Sequence, residues 1–595
     1  MGERAVLSGP VAVCVDRPVL SLDRPFTYDL PGELGAGVGS LVQVPFHGRD
    51  VRGWVLGPAE EVPPRVLAVR RVVSPVRFFD RRMLQLFRWI SERYVAPLAA
   101  VIARSHPPRV ASEERTAGTP AGPGRPTPAG LPWPVDLSGY RGGRELLRAV
   151  SGGAGAFVLR PGPDDEVRLA VGLVGACLAG GRRAIVLVPE ADPLPATAAA
   201  VLEAFGTRAR AFLGGDRRER YRTWLAMADE GCDVVVGTRP AVFAPLADLG
   251  LLLVSRESHP GHREERAPSH HVREVALARA RLEGAACVLS ATCPSVEAAA
   301  LGLPVVEPAG RRWPPVEVVR PGPEGRAPRL VRALRGARRA FLYEPLPGYG
   351  VARVCRSCGE PAACGSCGGL LRAEAGAVRC AVCGGPGRCR SCGGERFGIV
   401  RGGAERVEEW AGAVAPVPVR RAEGPPRGEE VVVAGPEAVK DVGPLGLDLV
   451  AILDADRPAR LPGLAAEERA LAAWMEAAAW AYPGGRVIVQ TAHPNRPAVQ
   501  ALVQGNPRRF QRVEAARREE AGFPPGFPVF RVRGGPGVVE PIRALGPRSL
   551  LTTASDEGTV CLVALDPGLV PSFGRAMRAL AERDPHLRVE AEPHL

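Results

Sequence analysis

Residues 231–258 read GCDVVVGTRPAVFAPLADLGLLLVSRES, and this stretch decides the fold class. Two short unbroken apolar runs, VVVG and LGLLLVS, flank a turn that contains two prolines. Apolar runs of this length without polar alternation fit strands buried on both faces. Similar runs lie on either side, AIVLV (184–188) and ACVLSAT (286–292). Between them, LPATAAAVLEAF (194–205) and HVREVALARARL (271–282) carry helical patterns. Strands alternating with helices predict a parallel sheet covered on both faces.

Working outward, the pattern spans 140–324 and resumes over 325–505. The second stretch contains RAFLYE (339–344), EVVVAG (430–435), DLVAILDAD (448–456) and RVIVQT (486–491). Two α/β lobes are expected. Residues 1–105 form a small β-rich domain with strands VAVCVD, FTYDL, SLVQVPF and RGWVLG between Pro/Gly turns. A helix follows at RRMLQLFRWISERYV (81–95). Residues 106–139 are expected to be a linker, because ten of the eighteen residues from 117 to 134 are Gly or Pro. Residues 506–595 form a last small α+β unit.

The 595 residues carry a formal charge of +13, and 46% are hydrophobic. That apolar fraction supports packed cores and excludes general disorder. No run reaches 18 apolar residues, so no membrane-spanning helix and no membrane partner are expected. The N-terminus, MGERAVLSGPVAVCVDRP, lacks the layout of a secretory leader, and a cytoplasmic protein is expected. Among the 77 Lys and Arg residues, Lys440 is the one lysine. Abundant Arg, Gly and Pro fit a GC-rich coding sequence, but the positive excess still draws phosphate backbones. A phosphate-binding loop of the G-x-x-x-x-G-K-[ST] type needs a lysine followed by a hydroxyl residue. Lys440 stands between Val439 and Asp441, so the chain has no such loop.

Eight of the 14 cysteines are spaced Cys355-x2-Cys358-x5-Cys364-x2-Cys367-x12-Cys380-x2-Cys383-x5-Cys389-x2-Cys392. Tetrahedral zinc needs two C-x2-C turns, so four turns make two sites. Glycines follow or fill them (Gly359, Gly365, Gly368, Gly384, Gly393). Disulfides and an iron–sulfur cluster are the other readings; a reducing compartment and the even repetition of pairs favour zinc. Four thiolates close the coordination shell, so two structural Zn2+ ions are expected per chain. The remaining cysteines, Cys14, Cys177, Cys232, Cys287, Cys293 and Cys561, sit singly in apolar segments and read as core residues.

DRPFTYDLP (23–31), VQVPFHGRDVRGWVLG (42–57), GGDRRERYRTWLAMADEGCDVVVGTRPAVFAPLADLGLLLV (214–254), VLSATCPSVEA (288–298) and EEAGFPPGFPVF (519–530), with the eight cysteines, resemble the primosomal protein N-prime (PriA) family of replication-restart helicases. The likeness extends over nearly the whole chain. It implies two RecA-like helicase lobes with a zinc-binding insertion at 351–395 and an N-terminal domain that binds the 3′ end of a nascent strand. It implies nested zinc sites: Cys355, Cys358, Cys389 and Cys392 on one ion, Cys364, Cys367, Cys380 and Cys383 on the other. The implied partners are branched and single-stranded DNA, replication-restart and helicase-loading proteins and single-strand-binding protein, with a nucleoid location.

Three departures from the family pattern bear on chemistry. LRPGPDDEVR (159–168) stands where the family has its phosphate loop. Ser255, Arg256, Glu257 and Ser258 stand in place of D-E-E-H. AAWMEAAAWAYPGG (472–485) replaces Q-V-A-G-R-A-G-R, and no arginine lies between Arg469 and Arg486. Charge stabilisation is most of phosphoryl-transfer catalysis. No catalytic or nucleotide-binding residue is therefore expected. The family's winged helix, which would fall in the linker, is expected to be reduced or absent.

By the resemblance, Thr238 and Arg239 line a single-strand path; a capping turn after the preceding strand is the plainer reading. Arg24, Phe26, Tyr28 and Arg49 are placed to stack on and pair with a strand end, although Phe/Tyr alternation also serves a core-facing strand. Asp454 and Asp456 read as turn and cap residues. His259, His262, His270 and His271 read as a solvated loop, and Asp164–Glu166 as a solvated turn before a helix. The favoured function is helicase-dead binding of fork DNA with reloading of the replicative helicase. The others are a residual ATP-dependent 3′–5′ helicase and a protein-binding scaffold.

Overall fold

The computed structural model describes residues 5–116, 135–228, 231–322, 325–344, 353–358, 362–369, 371–374, 377–380, 383–399, 403–458, 463–555 and 558–593. The chain divides into two compact units, Met1–Arg311 with Gln511–Leu595, and Arg312–Phe510.

The first unit opens with a six-stranded sheet. Its order is Leu67–Ala68, Phe26–Leu30, Gly9–Val15, Arg49–Pro58, Ser40–Phe46 and Arg71–Arg77. Strand alternation sends Val11, Val13, Val15, Tyr28, Val42 and Val44 into one core. From the opposite face, Cys14, Leu41, Trp54 and Leu56 join a larger core with the helix Arg81–Arg93. Asp80 caps that helix by accepting from the Met83 N–H at 2.8 Å.

Next comes an eight-stranded sheet, ordered Ala209–Phe212, Val234–Gly237, Arg183–Leu187, Leu249–Ser255, Ala286–Ser290, Gly155–Leu159, Val305–Pro308 and Tyr140–Arg141. All pairings are parallel except the last. Every residue of Val234–Gly237 and Leu249–Ser255 is buried, as their unbroken apolar runs require. The C-terminal residues form a four-stranded antiparallel sheet and the helix Val570–Ala581. Arg578 of that helix donates to Asp23 at 2.7 Å, and the same carboxylate accepts the Leu98 N–H at 2.7 Å. Phe530, Phe573 and Met577 share the larger core with Phe87 and Phe243.

The stretch expected as a linker is only partly so. Residues 117–134, and with them any remnant of a winged helix there, lie outside the described residues. Ala111–Thr116 is a helix. Glu113 takes guanidinium groups from Arg218 and Arg222. Glu114 accepts from Arg109 at 2.6 Å, Tyr221 at 2.6 Å and Ser74 at 2.7 Å. Ion pairs hold this helix, so no apolar periodicity marks it. Hydrogen bonds from Arg222 and Arg218 bring the Glu113 carboxyl down to about 2. Burial alone would raise Glu114, but Arg109, Tyr221 and Ser74 lower it. Carboxylates lowered on folding stabilise fully above their unfolded pKa, near 4.5, and lose that contribution as pH falls toward about 2. The helix is expected to open in acid. Hydrogen exchange at 111–116 should gain relative to the Leu249–Ser255 amides below about pH 4.

The second unit holds a six-stranded sheet with every pairing parallel. Its order is Val316–Val319, Arg486–Gln490, Leu449–Ile452, Ala340–Tyr343, Val431–Ala434 and Val419–Arg421. The sequence boundary at 324/325 put Val316–Val319 in the first lobe. The strand instead pairs with Arg486–Gln490, and a four-residue strand after a proline-rich connection carries no mark of which sheet it joins. The segment AAWMEAAAWAYPGG ends the helix Ala466–Ala479 and buries Trp474 and Met475. The cysteine insertion consists of two antiparallel ribbons, Arg353–Cys355 with Phe397–Ile399 and Leu371–Glu374 with Ala377–Cys380. Among the described residues, no helix is long and apolar enough to cross a membrane.

Candidate functional site

The insertion gathers its eight cysteines into two groups, Cys355, Cys358, Cys389 and Cys392, and Cys364, Cys367, Cys380 and Cys383. Within each group all four sulfurs lie within 4.8 Å of one another. Sulfur pairs approach to 3.4 Å (Cys355–Cys392 and Cys367–Cys380), 3.7 Å (Cys358–Cys389) and 3.8 Å (Cys364–Cys383). The grouping is the nested one. Gly368, Gly384 and Gly393, each just after the second cysteine of a turn, have φ of +74°, +69° and +71°. Only glycine takes that backbone without strain. Gly359 lies outside the described residues.

The turns also aim backbone N–H groups at the first sulfur. Hydrogen bonds from Cys367 and Ser366 bring Cys364 down to about 6. Burial opposes the shift at Cys355, but the N–H groups of Ser357 and Cys358 still lower it to about 6. The six single cysteines are all buried. Burial pushes Cys14, Cys177 and Cys287 up to about 12, so those thiols stay protonated. Two all-sulfur sets whose turns favour the thiolate at Cys355, Cys364 and Cys389, while neighbouring sulfurs raise Cys367 and Cys392, fit two tetrahedral metal ions of the structural zinc kind. Cys355, Cys358, Cys389 and Cys392 would hold one, and Cys364, Cys367, Cys380 and Cys383 the other.

The second locus lies between the strand Gly155–Leu159 and the helix Glu166–Ala179, where the resemblance puts a phosphate loop. A phosphate loop works by aiming free N–H groups at its ligand. Here Pro161 and Pro163 have no N–H. Those of Arg160, Gly162 and Asp165 go to Val306 O at 2.8 Å, Tyr140 Oη at 2.8 Å and Gly162 O at 3.0 Å. Tyr140 in turn donates to Asp165 at 2.5 Å, and Arg168 donates to the same carboxylate at 2.8 Å. Asp165 is 4% exposed while Asp164 and Glu166 are half-buried, so the acidic triplet is a turn before a helix whose middle carboxylate is not solvated. Tyr140 was not legible as a site residue, since a lone tyrosine at a sheet edge gives no signal.

At the end of Leu249–Ser255, Ser255 Oγ donates to Glu166 at 3.2 Å. Arg256 has φ of +50° and donates to Glu190 at 3.2 Å. Glu257 is fully buried and bonded to Arg273 and Ser295. His262 and His270 are buried, contrary to the expectation of a solvated loop. Burial lowers both to about 4, so the rings are neutral near pH 7, and His262 meets the Ser255 carbonyl at 2.8 Å. In the second unit, Asp454 accepts the Asp456 N–H at 3.2 Å, which is a turn role, whereas Asp456 accepts from Thr491 Oγ1 and the Ala492 N–H and ties the ends of two neighbouring strands.

The residues singled out for DNA fall on two places. Phe26 and Arg49 lie by the tip of the hairpin that joins Ser40–Phe46 to Arg49–Pro58. Phe26 meets Phe46 edge-on at 5.1 Å, and exposed Arg24 lies 5.5 Å over the Phe26 ring. Phe46 and His47, missed in the sequence, complete this tip. Tyr28 does not belong to it; it is 4% exposed and donates to Pro45 O at 2.9 Å, which makes it a core residue. Thr238 caps the short helix Arg239–Phe243 through its carbonyl. Arg239 donates to Gly261 O at 2.7 Å and lies 3.7 Å from Glu264.

Residues 12–107 match the family described as the PriA 3'DNA-binding domain (3'BD). The chain is 32% identical to the Mycobacterium tuberculosis H37Rv protein named "Probable replication restart protein PriA", over 87% of this chain and 86% of that one. The chain belongs to the replication restart protein PriA family. Treponema pallidum "Replication restart protein PriA" is 29% identical over 85% of this chain and 84% of its own. A solved Escherichia coli DEAH/RHA helicase, HrpB, aligns at 15% identity with a TM-score of 0.34, over 61% of this chain and 43% of that one. The matched residues span most of the N-terminal sheet that carries the Phe26–Phe46 tip and the helices Arg81–Arg93 and Leu98–Arg104.

Proposed function

We propose that this chain binds branched DNA at stalled forks and helps reload the replicative helicase without hydrolysing ATP. The filled phosphate-loop position carries the reading. Two of its residues are prolines, the N–H groups of Arg160, Gly162 and Asp165 are spent inside the fold, its carboxylates would repel a triphosphate, and no lysine stands in it. Two further losses point the same way, the D-E-E-H carboxylates replaced or locked in ion pairs and the arginine segment replaced by a buried apolar helix.

On this reading the N-terminal domain, residues 1–105, holds a 3′ strand end through Arg24, Phe26 and Arg49. Thr238 and Arg239 meet single strand on the first lobe, 140–324. The metal module is a rigid platform on the second lobe, 325–505, and residues 506–595 buttress the first. Helicase-loading proteins and single-strand-binding protein are the protein partners, and the chain works at the nucleoid.

The test measures ATP turnover and fork affinity on metal-replete protein. Turnover with fork DNA is expected to stay at background, with a fork bearing a 3′ end at its branch bound more tightly than plain duplex. DNA-stimulated hydrolysis would establish the residual 3′–5′ helicase instead. Equal affinity for fork and duplex would remove the fork reading.

A further inference from the structure

The second unit has a cavity of about 300 Å3 at the amino ends of its parallel strands, the side opposite Asp456 and Thr491. Three arginines line it, Arg329 and Arg332 from the helix Pro328–Arg335 and Arg486 from the start of its strand. Two carboxylates face them, and both are engaged. Glu317 pairs with Arg329 at 2.6 Å. Asp448 accepts the backbone N–H groups of Arg338 at 2.8 Å and Arg339 at 2.9 Å. Arg332 and Arg486 are exposed and have no carboxylate assigned to them among the described contacts. The rest of the wall is small or aliphatic, Ala333, Gly336, Ala337 and Leu449, with no aromatic ring to stack a base.

From this cavity we infer a phosphate site held by Arg332 and Arg486, filled by a phosphodiester of a nucleic-acid backbone. The lining sets three guanidinium groups against two carboxylates, and the positive excess at Arg332 and Arg486 favours a phosphate oxygen pair. A wall without aromatic surface recognises charge and shape, which a backbone offers at any sequence. The arginine ridge continues along the same helix to exposed Arg335, so a neighbouring phosphate has a partner too. The inference rests on the proposed DNA-binding role and gives the second lobe a strand contact on its amino edge.

The test compares full-length wild type with R332A/R486A at matched metal content and Tm. The double variant is expected to bind fork DNA about tenfold more weakly. Its slope of log affinity on log salt should fall by about one, the signature of one lost phosphate. Inorganic phosphate is the second probe, expected to raise the Tm of wild type and not of the variant. A lost phosphate response with unchanged fork affinity would assign the cavity to a free phosphoryl ligand and overturn the nucleic-acid claim. Unchanged affinity, salt slope and phosphate response would overturn the site. A wild type that prefers no fork, yet loses single-strand affinity in R332A/R486A, would refute the fork reading and support this contact.

Discussion

Serine at Cys364 is expected to leave the chain with at most one of its two metal ions and to unfold the insertion around the vacated set. The module has almost no core of its own. Among the described residues, its buried cluster is Ala362, Cys364, Leu371 and Cys380, and two of these are ligands. So small a core cannot offset the chain entropy of ordering the module. Structural zinc supplies on the order of 10 kcal/mol in comparable small domains. The two sites are also joined through the backbone. Cys364 and Cys389 form an isolated bridge, Gly365 N donates to Arg388 O at 3.0 Å, and Arg390 N donates to Ala363 O at 3.1 Å. The remaining ion is therefore expected to leave for a chelator faster than in wild type. The parallel sheet should survive, because its core of Leu342, Val431, Val433, Leu449 and Ile488 contains no cysteine. Metal analysis with chelator release checks this. Two ions retained by C364S, or iron in the wild type, would break the assignment.

What could be read from sequence follows from how directly spacing maps onto geometry. Coordination ties cysteine spacing to a tetrahedron, so two four-cysteine sites were legible from spacing alone, while their nested ligand sets came from the family resemblance. Unbroken apolar runs gave the parallel strands for the same reason: a strand buried on both faces has no polar side. Phe26 and Tyr28 mark the limit. They are two residues apart and share a face, yet Tyr28 lies opposite Val11 within the ladder while Phe26 closes it opposite Val13. Alternation gives the face and not the distance to the sheet's edge. The buried histidines and Asp165 escaped for another reason. Neutrality makes the histidines tolerable, and Asp165 depends on Tyr140, 25 residues away, as well as on neighbouring Arg168; neutrality and a distant hydroxyl leave no local pattern. The helix Ala111–Thr116 likewise depends on arginines about a hundred residues away.

The second large effect is expected at Glu257, the one carboxylate left in the segment that replaces D-E-E-H. It is fully buried and accepts from Arg273 Nη1, from Ser295 Oγ at 2.7 Å and from the Ser295 N–H at 3.0 Å. Burial would lower the pKa of Arg273, but Glu257 and Glu274 raise it well above its ordinary value, so the guanidinium stays charged. E257A strands a buried guanidinium and should destabilise the first unit by about 3–5 kcal/mol. E257L/R273M removes both charges and should recover most of that loss, because a buried pair is worth little net against apolar groups of similar volume. Denaturant midpoints across the cycle give the coupling. E257Q keeps the shape and should cost less than E257A. It should also leave fork affinity unchanged. In a working phosphoryl-transfer site, a carboxylate at the end of this strand acts on metal or water, and its amide would abolish turnover. Here the carboxylate's oxygens are spent on Arg273 and Ser295, so the substitution should register in stability alone. A midpoint for E257A equal to wild type would mean that Glu257 is not the counter-ion of Arg273, and the structural account of this degenerate motif would fail with it.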